Sequence, residues 1–306
     1  GGVIVPAEIR ELEDYGVSKI FSPDDGRRLG LQGMINSIIE QTDYPTPKDV
    51  EKEIQELKTG NWNAVGRLIT LAEDHVEKQD QQVAATMEKV HELVQTVPVL
   101  GITGTGGAGK SSLTDEIVRR FLAFYPEKTM AILSVDPSKQ KTGGALLGDR
   151  IRMNAIQSPR VFMRSLATRK SHSELSKAIT DAIEIVKAAS YDFIIVETSG
   201  IGQGDAQIVD VCDISMYVMT SEFGAATQLE KIDMIDYADL IVINKFDRRG
   251  SEDALRDVRK QWKRSHNRFE LTDEQTPVFG TIASQFNDPG TDALFANLFS
   301  IIKEKA

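Results

Sequence analysis

Gly104-Thr105-Gly106-Gly107-Ala108-Gly109-Lys110-Ser111 follows the pattern G-x-x-x-x-G-K-[S/T], the spacing of a phosphate-binding loop. Val97 to Thr103, just before it, is a short apolar run that reads as a strand. After it, Leu113, Ile117, Phe121 and Phe124 recur at helical intervals. The loop therefore joins a strand to a helix. In that context backbone N–H groups and the positive end of a helix dipole converge on an anion. Gly104, Gly106, Gly107, Ala108 and Gly109 would form the amide cradle, with Ser111 and Ser112 opening the helix. Lys110 would reach the outer phosphates, and the Ser111 hydroxyl would bind Mg²⁺. A ligand-free glycine turn would not need strand, loop, Lys-Ser and helix in that order.

Asp239 to Ile243 is a second apolar strand, and Asn244-Lys245-Phe246-Asp247 stands at its end. The pattern N-K-x-D reads guanine. An aspartate accepts two hydrogen bonds from the ring N–H and exocyclic amine, and adenine offers no such donor pair. A site built on paired hydrogen bonds strongly rejects an analogue lacking them. The aliphatic stem of Lys245 could lie along the base while its ammonium stays wet. An ordinary polar strand end would carry these residues without that purpose, but not downstream of a phosphate loop.

Two more apolar runs end in acids. Met130 to Val135 leads into Asp136, and Tyr191 to Val196 leads into Glu197-Thr198-Ser199-Gly200. At the carboxyl ends of parallel strands such acids face the ligand crevice of an α/β sheet. Mg²⁺ takes one or two carboxylates plus phosphate oxygens, so Asp136 and Glu197 are metal candidates. Gly200 offers an amide to the terminal phosphate. Between them, Asp149 is a further candidate metal ligand, and Arg152 is a phosphate contact suited to the charge that spreads in phosphoryl transfer. The alternative for each acid is a strand-end or helix-start cap, with Arg152 solvated. Lys110, Arg152 and Glu197, the last acting through a water, are the candidate catalytic groups.

From residue 97 onward strands and helices alternate, which predicts an α/β fold with a mostly parallel sheet covered on both faces. Thr276 to Ile282 reads as the last strand, followed by a turn at Ala283-Ser284 and a terminal helix from about Thr291. The Ser284 turn could give an amide to the guanine carbonyl. Residues 44–96 read as a charged helical arm that braces the nucleotide domain or forms a dimer surface. Residues 1–43 read as helix, a short strand at Lys19-Ile20-Phe21, and a second helix over Leu31 to Ile38. That piece is too small to bury a core alone, so the expectation is a chain cut from something larger.

The 306 residues carry a formal net charge of -10, which disfavours nucleic acid and anionic membrane as partners. The lone cysteine, Cys212, lies on an apolar stretch and reads as a small hydrophobe. Four scattered histidines supply no metal-ligand cluster. No apolar run is long enough to span a membrane. With no signal peptide visible, the reading is cytoplasmic.

The runs Gly-Ile-Thr-Gly-Thr-Gly-Gly-Ala-Gly-Lys-Ser-Ser, Val-Asp-Pro-Ser, Gly-Asp-Arg-Ile-Arg-Met, Glu-Thr-Ser-Gly-Ile-Gly-Gln and Asn-Lys-Phe-Asp occur here in that order. From about residue 58 onward the chain resembles the G-protein chaperones of adenosylcobalamin-dependent acyl-CoA mutases, the methylmalonyl-CoA mutase-associated GTPases. Residues 1–43 resemble the closing part of a cobalamin-binding Rossmann-like domain, an arrangement similar to the fused isobutyryl-CoA mutases. The resemblance implies a P-loop GTPase with Mg²⁺ around Ser111, Asp136, Asp149 and Glu197, and backbone oxygens of Val135 and Thr198 as further donors. It implies that GTP binding and hydrolysis gate adenosylcobalamin loading. The implied partners are mutase and cobalamin-binding domains, an adenosyltransferase and a second copy of the chain. Glu222 to Met234 resembles the third switch segment of those chaperones; Lys231 could pair there with a partner carboxylate, and a plain βα loop and helix is the alternative. The cobalt-ligating Asp-x-His-x-x-Gly loop and the acyl-CoA barrel are absent. The expectation is GTP hydrolysis without tight cobalamin binding or isomerase activity. A P-loop kinase, a nickel-insertion GTPase and a nucleotide sensor with little hydrolysis stand as alternatives.

Overall fold

The computed structural model describes residues 4–43, 50–57, 60–78, 81–137, 153–168, 172–198, 205–224, 229 and 232–305. The chain divides into two units, Gly1–Lys48 and Asp49–Ala306.

The first unit holds helices α1 (Pro6–Tyr15) and α2 (Pro23–Thr42), neither with a buried residue. Ser22 and Asp25 form a reciprocal cap that fixes where α2 starts: Asp25 N donates to Ser22 Oγ at 3.1 Å and Ser22 N to Asp25 Oδ2 at 3.0 Å. The strand expected at Lys19-Ile20-Phe21 does not form. Three extended residues need a neighbouring strand to satisfy their backbone groups, and none of the described residues of this unit is extended into a ladder.

The second unit starts with three helices, α3 (Val50–Leu57), α4 (Trp62–Lys78) and α5 (Gln81–His91). A sheet follows, whose seven strands among the described residues are β1 (Val99–Gly104), β2 (Met130–Pro137), β3 (Val161–Thr168), β4 (Phe193–Thr198), β5 (Ile214–Met219), β6 (Leu240–Asn244) and β7 (Val278–Thr281). The crossovers carry α6 (Lys110–Phe124), α7 (His172–Ala188), the short α8 (Met234–Tyr237) and α9 (Ser251–Ser265), and α10 (Pro289–Lys305) closes the chain. The strand order is β3-β2-β4-β1-β5-β6-β7, and every pairing is parallel.

Side-chain alternation along the strands sorts the core into two layers. Leu100, Ile102, Ile132, Phe193, Ile195, Met216 and Val242 face one side, against Leu113, Ile117 and Phe121 of α6 and Leu294 and Leu298 of α10. Val99, Leu133, Ile194, Val196, Tyr217 and Ile241 face the other. There they meet Ile183 and Val186 of α7, and Leu57, Leu68, Ile69 and Val90 of the arm helices. The arm is therefore part of the core layer. It is also tied by charge: Arg164 of β3 donates to Glu73 at 2.8 Å and to Thr70 Oγ1 at 2.9 Å. Within the arm, Arg67 makes a bidentate pair with Glu53 at 2.7 and 2.8 Å.

The sequence pattern alone does not single out β3 and β5. Arg164 and Ser165 interrupt the apolar run of the edge strand β3. The run Ile214 to Met219 is a short apolar stretch of the kind that periodicity cannot assign between strand and buried helix.

Candidate nucleotide site

All strands being parallel, their carboxyl ends open on one crevice. The loop of residues 104–109 leaves β1 there and is held by its neighbour β5, with Thr105 N donating to Val218 O at 3.0 Å. Gly104 has φ +146°, and a Cβ there would stand 1.9 Å from Val218 O, so no side chain fits. Gly109 has φ +86°, and its Cβ would meet Asn244 Nδ2 at 2.7 Å. Glycine at these two positions lets the loop turn tightly against both neighbours. α6 then begins at Lys110, its first turn pointing into the crevice.

Lys110 is 8% exposed, and its Nζ donates to Gly104 O at 3.0 Å and Thr105 O at 3.1 Å. The ammonium thus lies folded over the loop it serves. Ser111 Oγ donates to Glu197 Oε1 at 2.7 Å, and Thr114 Oγ1 donates to Glu197 Oε2 at 3.0 Å. Glu197, at the end of β4, is 4% exposed. The register explains the approach: β4 pairs directly with β1, with Glu197 opposite Ile102. Thr198 turns its hydroxyl inward and donates to Thr103 Oγ1 at 2.9 Å.

At the other end of the crevice Asn244, 2% exposed, acts as a bracket. Its amide nitrogen donates to Ala108 O at 2.8 Å, and its carbonyl oxygen accepts from Thr281 Oγ1 and Ala283 N, both at 3.1 Å. Lys245 adopts a left-handed φ of +58° and donates to Gly107 O at 2.7 Å. Phe246 N donates to Thr281 O at 3.0 Å, and its ring covers Gly280, where a Cβ would come within 2.5 Å of it. Asp247 is exposed next to this frame. Ala283 N is committed to Asn244, and Ser284, the next residue of that turn, is exposed. Asp288, 5% exposed, fixes the far side of that turn by accepting from Ile282 N at 3.0 Å and Thr291 N at 2.8 Å.

The structure thus brings Gly104 to Ser112, Glu197, Thr198 and Asn244 to Asp247 to one edge of the sheet. Val135 of β2 lies next to Thr198 of β4. Asp136 is placed by its backbone alone, one residue further on, its side chain outside the described set. Asp149, Arg152, Gly200 and Lys231, with most of the segment 225–231, lie outside the described residues. Sequence reasoning missed Thr114, Thr103 and Thr281, whose hydroxyls act only through pairings between distant segments. Among the described residues no group of three His, Cys, Asp or Glu could hold a metal by itself. Burial pushes the Cys212 thiol up to about 12, so it is not a ready nucleophile. No helix among the described residues is long and apolar enough to cross a membrane.

Comparison with known proteins bears on the fold and the family. The fold is similar to the crystal structure of an LAO/AO transport system kinase, with TM-score 0.64 and 21% identity over 85% of this chain and 77% of that one. The chain is 66% identical over 310 residues to the fused isobutyryl-CoA mutase of Geobacillus kaustophilus, covering 100% of this chain and 28% of that protein. It is 53% identical to the fused isobutyryl-CoA mutase of Cupriavidus metallidurans, over 97% of this chain and 27% of that protein. The chain therefore spans under a third of the length of these relatives. A putative GTPase of Pyrococcus horikoshii is 36% identical over 77% of this chain and 73% of its own. The model of the family described as methylmalonyl-CoA mutase-associated GTPase MeaB matches residues 65–300. The chain belongs to the MeaB family of P-loop GTPases.

Proposed function

We propose that this chain binds GTP with Mg²⁺ and hydrolyses it, and that its nucleotide state gates adenosylcobalamin loading into an acyl-CoA mutase. The observation that carries the nucleotide part is the direct bonding of the base-reading motif to the phosphate loop. Asn244 reaches Ala108 O at 2.8 Å and Lys245 reaches Gly107 O at 2.7 Å. One frame thus ties the segment that carries the exposed Asp247 to the loop amides, as a single ligand bound at both its base and its phosphates requires.

The residues present fit Mg²⁺. Ser111 at the start of α6 and the buried Glu197 at the end of β4 offer hard oxygen atoms 2.7 Å apart, and phosphate oxygens with water would complete the shell. Ser111 would hold the ion directly, with Glu197 and Asp136 holding its waters, and Asp149, Val135 O and Thr198 O as further donors. When bound, the ion supplies neutralisation of phosphate charge. The protein's own part is to orient the phosphates on the loop amides, to bring the Lys110 ammonium from its loop carbonyls onto the outer phosphates, and to place Arg152 and Gly200 at the terminal one. Glu197 is the candidate to orient water. A second reading, a nucleotide sensor with little hydrolysis, draws on the same geometry, because both Glu197 oxygens already accept hydroxyl groups.

Two of the relatives are named fused isobutyryl-CoA mutases. On that basis residues 1–43 are proposed as the closing part of a cobalamin-binding domain, 44–96 as the arm and 97–306 as the GTPase domain. The proposed partners are mutase and cobalamin-binding domains, an adenosyltransferase and a second copy of this chain, in the cytoplasm. Titration calorimetry with GTP and ATP, with and without Mg²⁺, tests the nucleotide reading. Magnesium-dependent preference for GTP is expected, and equal binding of ATP would overturn it. Turnover of GTP above a Lys110→Ala control separates the enzyme from the sensor.

A further inference from the structure

Glu197 meets two hydroxyls of different standing. Ser111 is partly exposed on the first turn of α6 and is itself the proposed metal ligand. Thr114, one turn further on, is 0% exposed and sits among the core residues of α6. Its Oγ1 donates to Glu197 Oε2 at 3.0 Å from the inner side, while Ser111 occupies Oε1 at 2.7 Å. A buried carboxylate needs hydrogen bonds to stay charged and fixed. A cation would take a lone pair of Ser111 Oγ and could turn its O–H, whereas the bond from Thr114 to Oε2 does not depend on the cation. Helical spacing places positions 111 and 114 on one face, and β4 lies next to β1, so the same carboxylate is within reach of both.

We propose that Thr114 is a positioning residue for the divalent-cation site: it holds Glu197 by Oε2 so that Oε1 stays directed at Ser111 and the cation's waters. This rests on the nucleotide reading above and extends it to a residue that no motif marks. Thr114 touches neither nucleotide nor cation. It sets the carboxylate's orientation and so the coupling between cation and nucleotide. The base end should not sense it, since Asn244 and Lys245 bond the phosphate loop at Ala108 and Gly107.

The test uses the chain as it stands, with Thr114→Val, Thr114→Ser and wild type. Calorimetry gives GTP affinity with and without Mg²⁺, and electron paramagnetic resonance of Mn²⁺ gives cation affinity without reference to turnover. Groups that orient metal ligands cost about 10-fold to 100-fold in metal affinity when removed. Thr114→Val should lower Mn²⁺ affinity in the GTP complex by at least about 10-fold. It should leave Mg²⁺-free GTP affinity and the GTP-over-ATP ratio as in wild type. Thr114→Ser, which keeps the hydroxyl, should restore cation affinity. If Thr114→Val does not fold, the serine variant decides through Thr114→Ala as its partner: equal Mn²⁺ affinity in the two overturns the proposal. Wild-type Mn²⁺ affinity in a folded Thr114→Val also overturns it while leaving the GTPase reading intact. Absence of any Mg²⁺ effect in wild type would instead overturn the nucleotide reading itself.

Discussion

The two ends of the crevice are built differently. At the base end, side chains bond mainly to main-chain atoms: Asn244 to Ala108 O and Ala283 N, and Lys245 to Gly107 O, with Thr281 Oγ1 as a side-chain donor to Asn244. At the metal end, side chains bond to side chains: Ser111 and Thr114 to Glu197, and Thr198 to Thr103. Main-chain acceptors in a glycine-fixed loop have one position. Hydroxyls rotate and exchange partners at small cost. On the proposed reading, the base end is fixed by the main chain before nucleotide binds, while Ser111 and Glu197 would exchange partners when a cation binds.

Asp247 offers the sharpest way to break the comparison. Asp247→Asn replaces an acceptor pair by one acceptor and one donor, which matches xanthine in place of guanine. The ratio of GTP to xanthosine triphosphate affinity should fall by about 10⁴-fold, since a site built on paired hydrogen bonds rejects a mismatched partner by that order. Competition binding measures it. Strict guanine preference in this variant would mean that Asp247 does not read the base. Because Asp247 is exposed, folding stability should stay within about 0.5 kcal/mol.

Asn244→Ala should have the next largest effect, and on folding as well as binding. It strands the buried Ala108 carbonyl and Thr281 hydroxyl, and each unsatisfied buried group costs about 1–3 kcal/mol. A loss of about 3 kcal/mol in chemical denaturation is expected. GTP affinity should drop by the same factor with and without Mg²⁺, because the frame fails before the cation matters. A loss confined to the Mg²⁺-bound state would place Asn244 at the metal end and erase the distinction between the two ends.

How far the sequence revealed these ends follows from what each depends on. The loop of residues 104–111 and Asn244-Lys245-Phe246-Asp247 were legible because their chemistry lies within a few consecutive residues. Glu197 was legible as an acid ending an apolar run. Thr114 was not: its partner is 83 positions away, and only the pairing of β4 with β1 brings them together. The same limit hid β3, where Arg164 breaks the apolar run because it serves Glu73 in the arm. The strand read at Lys19 to Phe21 failed for the opposite reason. Local pattern favoured it, and no ladder partner supported it.

Asp192 gives the smallest effect and a control for both ends, since it precedes β4 at the edge remote from Glu197. Burial pushes its carboxyl up, but hydrogen bonds from Lys128 Nζ, Thr129 N and Thr129 Oγ1 outweigh that and leave it below the usual aspartate value. A depressed native pKa stabilises the fold at pH above the unfolded value, near 3.9, and that stability is lost as pH falls through the native value. Asp192→Asn should therefore cost less than about 1 kcal/mol near neutral pH, given the partly exposed pair. It should flatten the fall in stability between about pH 4 and the lower native value. Denaturant unfolding at stepped pH measures the slope. A variant curve parallel to wild type through that window would remove Asp192 from the acid response. Loss of guanine preference in this variant would show that the carboxyl ends of the strands are not insulated from their amino ends.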